Sequence, residues 1–196
     1  MGTGRKWHQD SLRGGGELGI TTDSQLRELG QSLPNFQVHA MTDWSGKIPN
    51  TIYAICNTDT PDGGGKHWVA YRNIPKSKYV QYIDPFGATI DPRLLKYLKS
   101  SGKPVMATTT QIQDIHSDNC GYWSLMVLYE LHKGKNLGEI LAKVDALDQK
   151  GNEMMLRSYF AKKPSLKEQV DDNFEIHQQM VEDEKLRQKV KLEAKR

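Results

Sequence analysis

Residues 111–123 read Gln111-Ile112-Gln113-Asp114-Ile115-His116-Ser117-Asp118-Asn119-Cys120-Gly121-Tyr122-Trp123 and pass from β-prone residues through a polar turn into an apolar segment. That segment continues to His132 and predicts a helix buried on most sides. Cys120 would then lie on the first turn of the helix, where unpaired peptide N–H groups favour an anion. The same N–H groups favour a thiolate and can stabilise an oxyanion on a substrate, so Cys120 is a candidate nucleophile.

The rest of the chain carries alternating strand and helix patterns. Thr22 and Gln25 have capping-box spacing and predict the start of a helix that Gly30 and Pro34 limit. Runs of β-branched and aromatic residues predict strands over 51–57, 67–74, 79–84 and 105–113. A short turn joins the second and third strands and indicates an antiparallel pair. Further helices are predicted over 92–100, 137–147 and 154–160.

Composition makes several classes of protein less favoured. The formal charge of +3 is small against 27 basic and 24 acidic side chains, so it gives little support to nucleic-acid binding. Two cysteines are too few for a disulfide framework, and no apolar run approaches the roughly 18 residues of a membrane span. The first 20 residues are polar and rich in glycine, unlike a signal peptide. We therefore expect an intracellular protein that is neither secreted nor bound to a membrane.

Changes in composition predict three regions. Residues 1–20 contain six glycines and predict a flexible arm. Residues 21–163 contain the strand and helix patterns and predict one domain. Residues 164–196 begin with Pro164 and are dominated by charged and amide side chains, which predicts a solvated helix or a disordered tail.

A catalytic cysteine needs a base, and His67 is the best placed of the six histidines. It alone opens a predicted strand after a glycine-rich turn, whereas His116 lies in the turn before Cys120. Asp84 ends the next strand, 17 positions later, and a hairpin could bring the two side chains together. On these residues alone, a structural role for His67 and a turn-forming role for Asp84 before Pro85 remain open.

Two glutamines are candidate oxyanion donors. Gln113 lies seven positions before Cys120, and Gln111 competes with it. Asp118 and Asn119 are candidate caps of the helix. The other cysteine, Cys56, lies in a predicted buried strand and is expected to be inert.

The motifs His67-Trp68, Asp84-Pro85-Phe86-Gly87, Gln113 and Cys120-Gly121 follow one another in an order that resembles the adenovirus protease (adenain) family, related to the SUMO-specific proteases. Residues 54–58 and the loop before His67 resemble the same family, so the resemblance covers about 51–131. It implies an α+β, papain-like fold. In that fold a central mixed, mostly antiparallel sheet packs against a buried helix that carries the nucleophile.

The resemblance also implies roles for individual residues. By it, Cys120 is the nucleophile, and His67 is the general base and then the general acid. Asp84, where the family often has Glu, orients His67, and Gln113 donates to the oxyanion. Substrate contacts are expected at two further positions, Trp68 and Gly121.

No cofactor or metal ion is predicted. The viral proteases of this family are activated by DNA and by a peptide joined through a disulfide. Here the buried strand position of Cys56 argues against a covalent peptide, and the slight net charge gives DNA little support. The protein is expected to be a monomer in a host nucleus or cytoplasm, or in a virion.

Family members prefer cleavage sites that contain glycine. The arm holds Leu12-Arg13-Gly14-Gly15-Gly16, which matches an aliphatic residue, any residue and then two glycines. We therefore hypothesise self-cleavage between Gly15 and Gly16. A flexible linker without processing is the alternative, and Leu-Arg-Gly-Gly also resembles the end of ubiquitin.

The sequence thus predicts a cysteine endopeptidase of a virus or virus-like mobile element that cuts polypeptides at glycine-containing sites through a thioester. Two alternatives stay open. One is an isopeptidase for ubiquitin-like proteins, and the other is a catalytically inactive binding module with the same fold.

Overall fold

Five strands form one mixed sheet in the order β1-β2-β3-β4-β5. The structure is a computed structural model that describes residues 18, 21–40, 44–58 and 67–193. The strands are β1 (Phe36–His39), β2 (Ile52–Asn57), β3 (Trp68–Asn73), β4 (Val80–Ile83) and β5 (Val105–Ala107). The central pairings β2–β3 and β3–β4 are antiparallel, whereas β1–β2 and β4–β5 are parallel. The α+β fold and the mixed sheet are confirmed, with antiparallel pairing confined to its centre.

Both faces of the central strands are buried. Tyr53, Ile55 and Ala70 belong to one apolar cluster, while Ala54, Cys56 and Val69 belong to a second. Successive residues of a strand point to opposite faces, so the two clusters lie on opposite sides of the sheet. This double burial explains why β2 reads as a continuous apolar run.

Helix α3 (Cys120–His132) packs on the first of these faces, against β3. Its residues Gly121 to Leu131 are all buried, as the almost continuous apolar pattern predicted. The Ser124 hydroxyl donates to the Trp68 carbonyl oxygen at 3.2 Å and ties the first turns of the helix to the first residue of β3. The start of α3 is thereby held beside the start of β3.

Helix α1 (Asp23–Gly30) lies beside α3 and begins where the sequence predicted. Thr22 and Gln25 form both hydrogen bonds of a capping box. Helix α2 (Pro92–Lys99) covers the opposite face of the sheet with Leu94 and Leu98 and has Pro92 in its first turn.

Four segments differ from the sequence prediction. The strand predicted over 105–113 ends at Ala107, because Ile112 and Gln113 donate their N–H groups to the Pro85 carbonyl oxygen rather than to β4. Strand β1 was not predicted, since four residues give too short a pattern. The helix predicted over 137–147 is shorter, and that predicted over 154–160 is longer: they are α4 (Leu137–Leu141) and α5 (Gln149–Ala161).

The last helix, α6 (Pro164–Glu193), is 30 residues long. Leu166 and Val170 are buried in the same cluster as α3, whereas Leu186 and Val190 are exposed. Leu18, within the predicted arm, is also buried. The limits of the three predicted regions remain predictions. No helix among the described residues is long and apolar enough to span a membrane.

Candidate active site

The β3–β4 hairpin brings His67 and Asp84 together, as the spacing suggested. His67 directly precedes β3 and Asp84 directly follows β4. In the antiparallel register Ala70 lies opposite Ile83, so the start of one strand lies beside the end of the other. His67 Nε2 and Asp84 Oδ1 are 2.7 Å apart, and the two side chains are 13% and 4% exposed.

Asp84 is fixed by several hydrogen bonds in addition to that with His67. Its Oδ1 accepts the Phe86 N–H at 2.8 Å, and its Oδ2 accepts the Tyr82 hydroxyl at 3.5 Å. Its own N–H donates to Thr108 Oγ1 at 2.9 Å. Asp84 therefore does form a turn with Pro85, and that turn aims its carboxylate at His67.

Cys120 lies next to His67. The Trp68 N–H donates to Cys120 Sγ at 3.4 Å, so the sulfur lies against the backbone next to His67. His67 Nδ1 is buried and has no hydrogen-bond partner among the described residues. The Phe86 ring stacks on the imidazole with 4.6 Å between ring centroids and holds its plane.

The surroundings favour the charged form of His67. Burial lowers the pKa of His67, but the Asp84 hydrogen bond and the interaction with the Cys120 sulfur outweigh it and raise the pKa to about 9. An imidazolium between a carboxylate and a sulfur is suited to pair with a thiolate and to donate a proton to a leaving group.

The N-cap residue of α3 does not cap the helix with its side chain. Asn119 occupies the N-cap position, but its side chain makes no capping hydrogen bond. Its Oδ1 instead accepts the Leu18 N–H at 2.9 Å, and its Nδ2 donates to Glu153 Oε2 at 2.6 Å. The N–H groups of the first turn are therefore left without the side-chain acceptor that an N-cap asparagine usually provides.

Gln113 is fully buried, and its Nε2 donates to the Ser117 carbonyl oxygen at 2.6 Å. Because a carbonyl oxygen can only accept, the amide atom that contacts it must be the nitrogen, and this bond fixes which end of the amide is nitrogen. Each amide nitrogen has a second N–H to donate. Gln111, the competing glutamine, donates its side-chain N–H to the Gln113 carbonyl oxygen at 3.0 Å. The oxyanion role of Gln113 remains a prediction.

Trp68 and Gly121 are both buried, and each contacts Thr21. The Trp68 indole N–H donates to the Thr21 carbonyl oxygen at 3.1 Å. A Cβ placed on Gly121 would lie 2.0 Å from Thr21 Oγ1. Close packing thus accounts for glycine at position 121, and a substrate contact by either residue remains a prediction.

Other predicted residues lie apart from this group or outside the described residues. His116 is exposed in the turn before α3. Cys56 is fully buried on the opposite face of the sheet, and burial raises the pKa of its thiol, as expected of an inert cysteine. Gly15 and Gly16 lie outside the described residues. Among the described residues, no group of three or more His, Cys, Asp or Glu side chains could hold a metal ion.

Two residues of α5 support the site and were missed in the sequence. Glu153 accepts hydrogen bonds from three groups around the 114–123 segment. Asn152 is buried and donates to the Ile112 carbonyl oxygen at 3.0 Å. The sequence held one signal, two polar residues next to the apolar stripe of a helix, but gave no indication of their partners.

No protein-family model and no curated protein matches the sequence. The crystal structure of ASFV pS273R protease matches with a TM-score of 0.55 and 14% identity, over 72% of this chain and 67% of that chain. The structure of its Se-Met form matches with a TM-score of 0.44 and 18% identity, over 55% of this chain and 43% of that chain. The SUMO protease Ulp1 with its catalytic cysteine oxidised to a sulfinic acid matches with a TM-score of 0.42 and 14% identity, over 77% of this chain and 79% of that chain.

At such identities a likeness establishes the fold alone, and only the first of these TM-scores is above 0.5. The fold resemblance predicted from the sequence is confirmed, and the chain has the fold of ASFV pS273R protease.

Proposed function

We propose that the chain is a cysteine endopeptidase that hydrolyses peptide bonds through a thioester on Cys120. The arrangement around His67 carries the proposal. Its Nε2 is 2.7 Å from Asp84 Oδ1, and the N–H of the next residue, Trp68, donates to the sulfur of Cys120 at 3.4 Å. These are the nucleophile, base and orienting group that a cysteine peptidase needs.

In the first half of the reaction, the Cys120 thiolate attacks the substrate carbonyl carbon, and the carbonyl electrons move to the oxygen. The oxyanion then collapses, and the C–N bond breaks. The His67 imidazolium gives its Nδ1 proton to the leaving amine, because Nε2 is hydrogen-bonded to Asp84. The products of this half are the free amine and a thioester.

In the second half, His67 Nδ1 takes a proton from a water molecule as that water attacks the thioester. The C–S bond breaks, the carboxylic acid product leaves, and the thiolate and imidazolium are restored. Asp84 stays ionised and keeps the ring in the correct orientation.

The oxyanion is assigned to the Cys120 N–H and the second N–H of Gln113. The position of Cys120 as the first residue of α3 supports the first assignment, because the N–H groups of the first turn have no acceptor within the helix. The bond between Gln113 Nε2 and the Ser117 carbonyl oxygen supports the second, because it fixes the plane of the amide. Removal of one such donor lowers kcat by about 10²–10³-fold in well-studied peptidases.

The substrate class is a polypeptide with glycine next to the scissile bond, as the sequence resemblance implies. Fluorogenic peptides that contain Gly-Gly or Ala-Ala at the cleavage site test it, with Cys120→Ala as the inactive control. We expect cleavage of the glycine peptides alone by the active protein. Equal cleavage of both series would contradict the specificity, and no cleavage of any peptide would favour an inactive binding module.

Probes that carry a C-terminal electrophile on ubiquitin or on SUMO separate the endopeptidase from an isopeptidase. An endopeptidase cleaves short glycine peptides and labels poorly with either probe. Efficient labelling of Cys120 by one probe, with poor peptide turnover, would favour the isopeptidase.

Self-cleavage between Gly15 and Gly16 is part of the same proposal, because the Leu12–Gly16 segment has the expected site pattern. Mass spectrometry of active protein beside Cys120→Ala tests it. The active protein is expected to begin at Gly16, and identical intact N-termini in both would exclude self-cleavage.

A further inference from the structure

Glu153 is a buried carboxylate on α5 that faces the loop before the nucleophile. It is 6% exposed. Its Oε1 accepts the Asp114 N–H at 3.2 Å and the Trp123 indole N–H at 3.2 Å, and its Oε2 accepts the Asn119 Nδ2 at 2.6 Å. One side chain from a distant part of the sequence therefore holds both ends of the 114–119 loop and the first turn of α3.

Among the described residues, no lysine, arginine or histidine forms an ion pair with Glu153. Burial raises the pKa of Glu153, and the hydrogen bonds from Asn119, Trp123, Asp114 and Ser117 act in the opposite direction. A buried carboxyl group held by neutral donors alone gains little stability for the fold. Its placement is better explained by what it positions.

The loop that Glu153 holds contains the partner of Gln113. Gln113 Nε2 donates to the Ser117 carbonyl oxygen, and the Ser117 side chain interacts with Glu153. The Ser117 hydroxyl also accepts the Asn119 N–H at 3.2 Å. The orientation of the Gln113 amide thus depends on a loop whose shape Glu153 sets.

Glu153 also helps to orient Asn119. The bond from Asn119 Nδ2 to Glu153, together with the bond from the Leu18 N–H to Asn119 Oδ1, holds the Asn119 amide away from the helix it precedes. The N–H groups at the start of α3 consequently keep no cap from this side chain. Both groups of donors proposed for the oxyanion are therefore linked to the same carboxylate.

We infer that Glu153 is a positioning residue for the oxyanion side of the site, which acts through the 114–119 loop on Gln113 and on the start of α3. The inference rests on the proposed function. It predicts that changes at Glu153 weaken stabilisation of the transition state and leave the Cys120–His67 pair intact.

Glu153→Gln tests this at constant volume, because it replaces one acceptor oxygen with an N–H that opposes the donors around it. We expect kcat on a glycine peptide to fall about tenfold or more, with KM within about threefold. Alkylation of Cys120 by iodoacetamide needs no oxyanion donor, so its rate is expected to stay within about twofold.

Glu130→Gln is the matched control. Glu130 is a buried carboxylate at the far end of α3, where it pairs with Lys133 at 2.7 Å and with Lys135. We expect it to lower stability and to leave kcat unchanged in the folded protein. A kcat loss in Glu130→Gln equal to that in Glu153→Gln would show a general structural effect and overturn the inference.

A double-mutant cycle with Gln113→Ala tests the route of action. If Glu153 acts partly through Gln113, the loss in the double variant is smaller than the product of the two single losses. Full additivity, unchanged kcat in Glu153→Gln, or an equal loss of alkylation would overturn the inference while wild-type turnover stands. A wild type without turnover would overturn the proposed function, and this inference with it.

Discussion

The Thr21 hydroxyl occupies the space that a side chain on residue 121 would need, since a Cβ on Gly121 would lie 2.0 Å from Thr21 Oγ1. The first turn of α3 is thereby packed against the segment that precedes α1. We expect Gly121→Ala to lower the free energy of unfolding by about 1–3 kcal/mol through overpacking. Urea denaturation measures the change.

Thr21→Ala removes the atom in conflict and supplies the control. In the Thr21→Ala background, Gly121→Ala is expected to lower the free energy of unfolding by less. The nearest remaining atoms would then lie 3.2 Å from the new Cβ. An equal cost in both backgrounds would show that the Thr21 hydroxyl is not the obstacle.

The His67–Asp84 pair predicts a pH profile. The pKa of His67 is raised to about 9, so the imidazolium that protonates the leaving group persists to that pH. Activity should fall as pH rises through about 9. Asp84→Asn removes the anionic acceptor, which lowers the pKa of His67 and moves this alkaline limb to lower pH, with kcat reduced by about 10²-fold.

Profiles of kcat/KM against pH for wild type and Asp84→Asn measure that shift. The same linkage predicts stability. Since the pKa of His67 is above its ordinary value of 6.5, its contribution is complete below pH 6.5 and is lost as pH rises through about 9. An alkaline limb in Asp84→Asn at the wild-type pH would contradict the pairing.

Gly87 ends the turn that carries Asp84 and has φ +65°. A Cβ there would lie 2.8 Å from backbone atoms of Thr109 and Thr110, which cannot move independently. Gly87→Ala is therefore expected to lower the free energy of unfolding by about 2 kcal/mol or more. It is also expected to lower kcat, because the Gly87 N–H donates to the Asp84 carbonyl oxygen at 2.9 Å and so belongs to the turn that holds Asp84.

Gly102 is the matched control for that change. It has φ +81°, but a Cβ there would have no described atom within 4 Å. Gly102→Ala should cost about 1–2 kcal/mol for its backbone conformation alone and leave kcat unchanged. Equal costs at the two positions would mean that crowding at Gly87 is absent.

The elements that the sequence predicted well are those with a strong local signal. The capping box at Thr22 fixes the start of α1, and the almost continuous apolar run predicts α3. His67 and Asp84 follow from the hairpin, because strand ends and a short turn are local features too. These local features placed His67 beside Asp84, whereas the fold was predicted from the resemblance that the ordered motifs carry.

The missed features depend on contacts between distant residues. The role of Glu153 depends on Asp114 and Asn119, which are 39 and 34 positions away. Likewise, nothing local shows that the Asn119 side chain bonds Leu18 instead of capping its own helix, a contact across 101 positions. The periodicity of apolar residues shows which face of a helix or strand is buried. It does not show which distant residues meet, because these contacts exist only after the chain has folded.

The first turns of α6 are expected to stabilise the domain, and its end is not. Leu166 and Val170 are buried in the core cluster that contains α3, whereas Leu186 is 62% exposed. Leu166→Ala should lower the free energy of unfolding by about 2–3 kcal/mol, because it removes buried methyl groups and leaves a cavity. Leu186→Ala, the same substitution on the same helix, should change it by less than about 0.5 kcal/mol. Guanidinium denaturation of both variants measures the difference, and equal effects would place Leu166 outside the core.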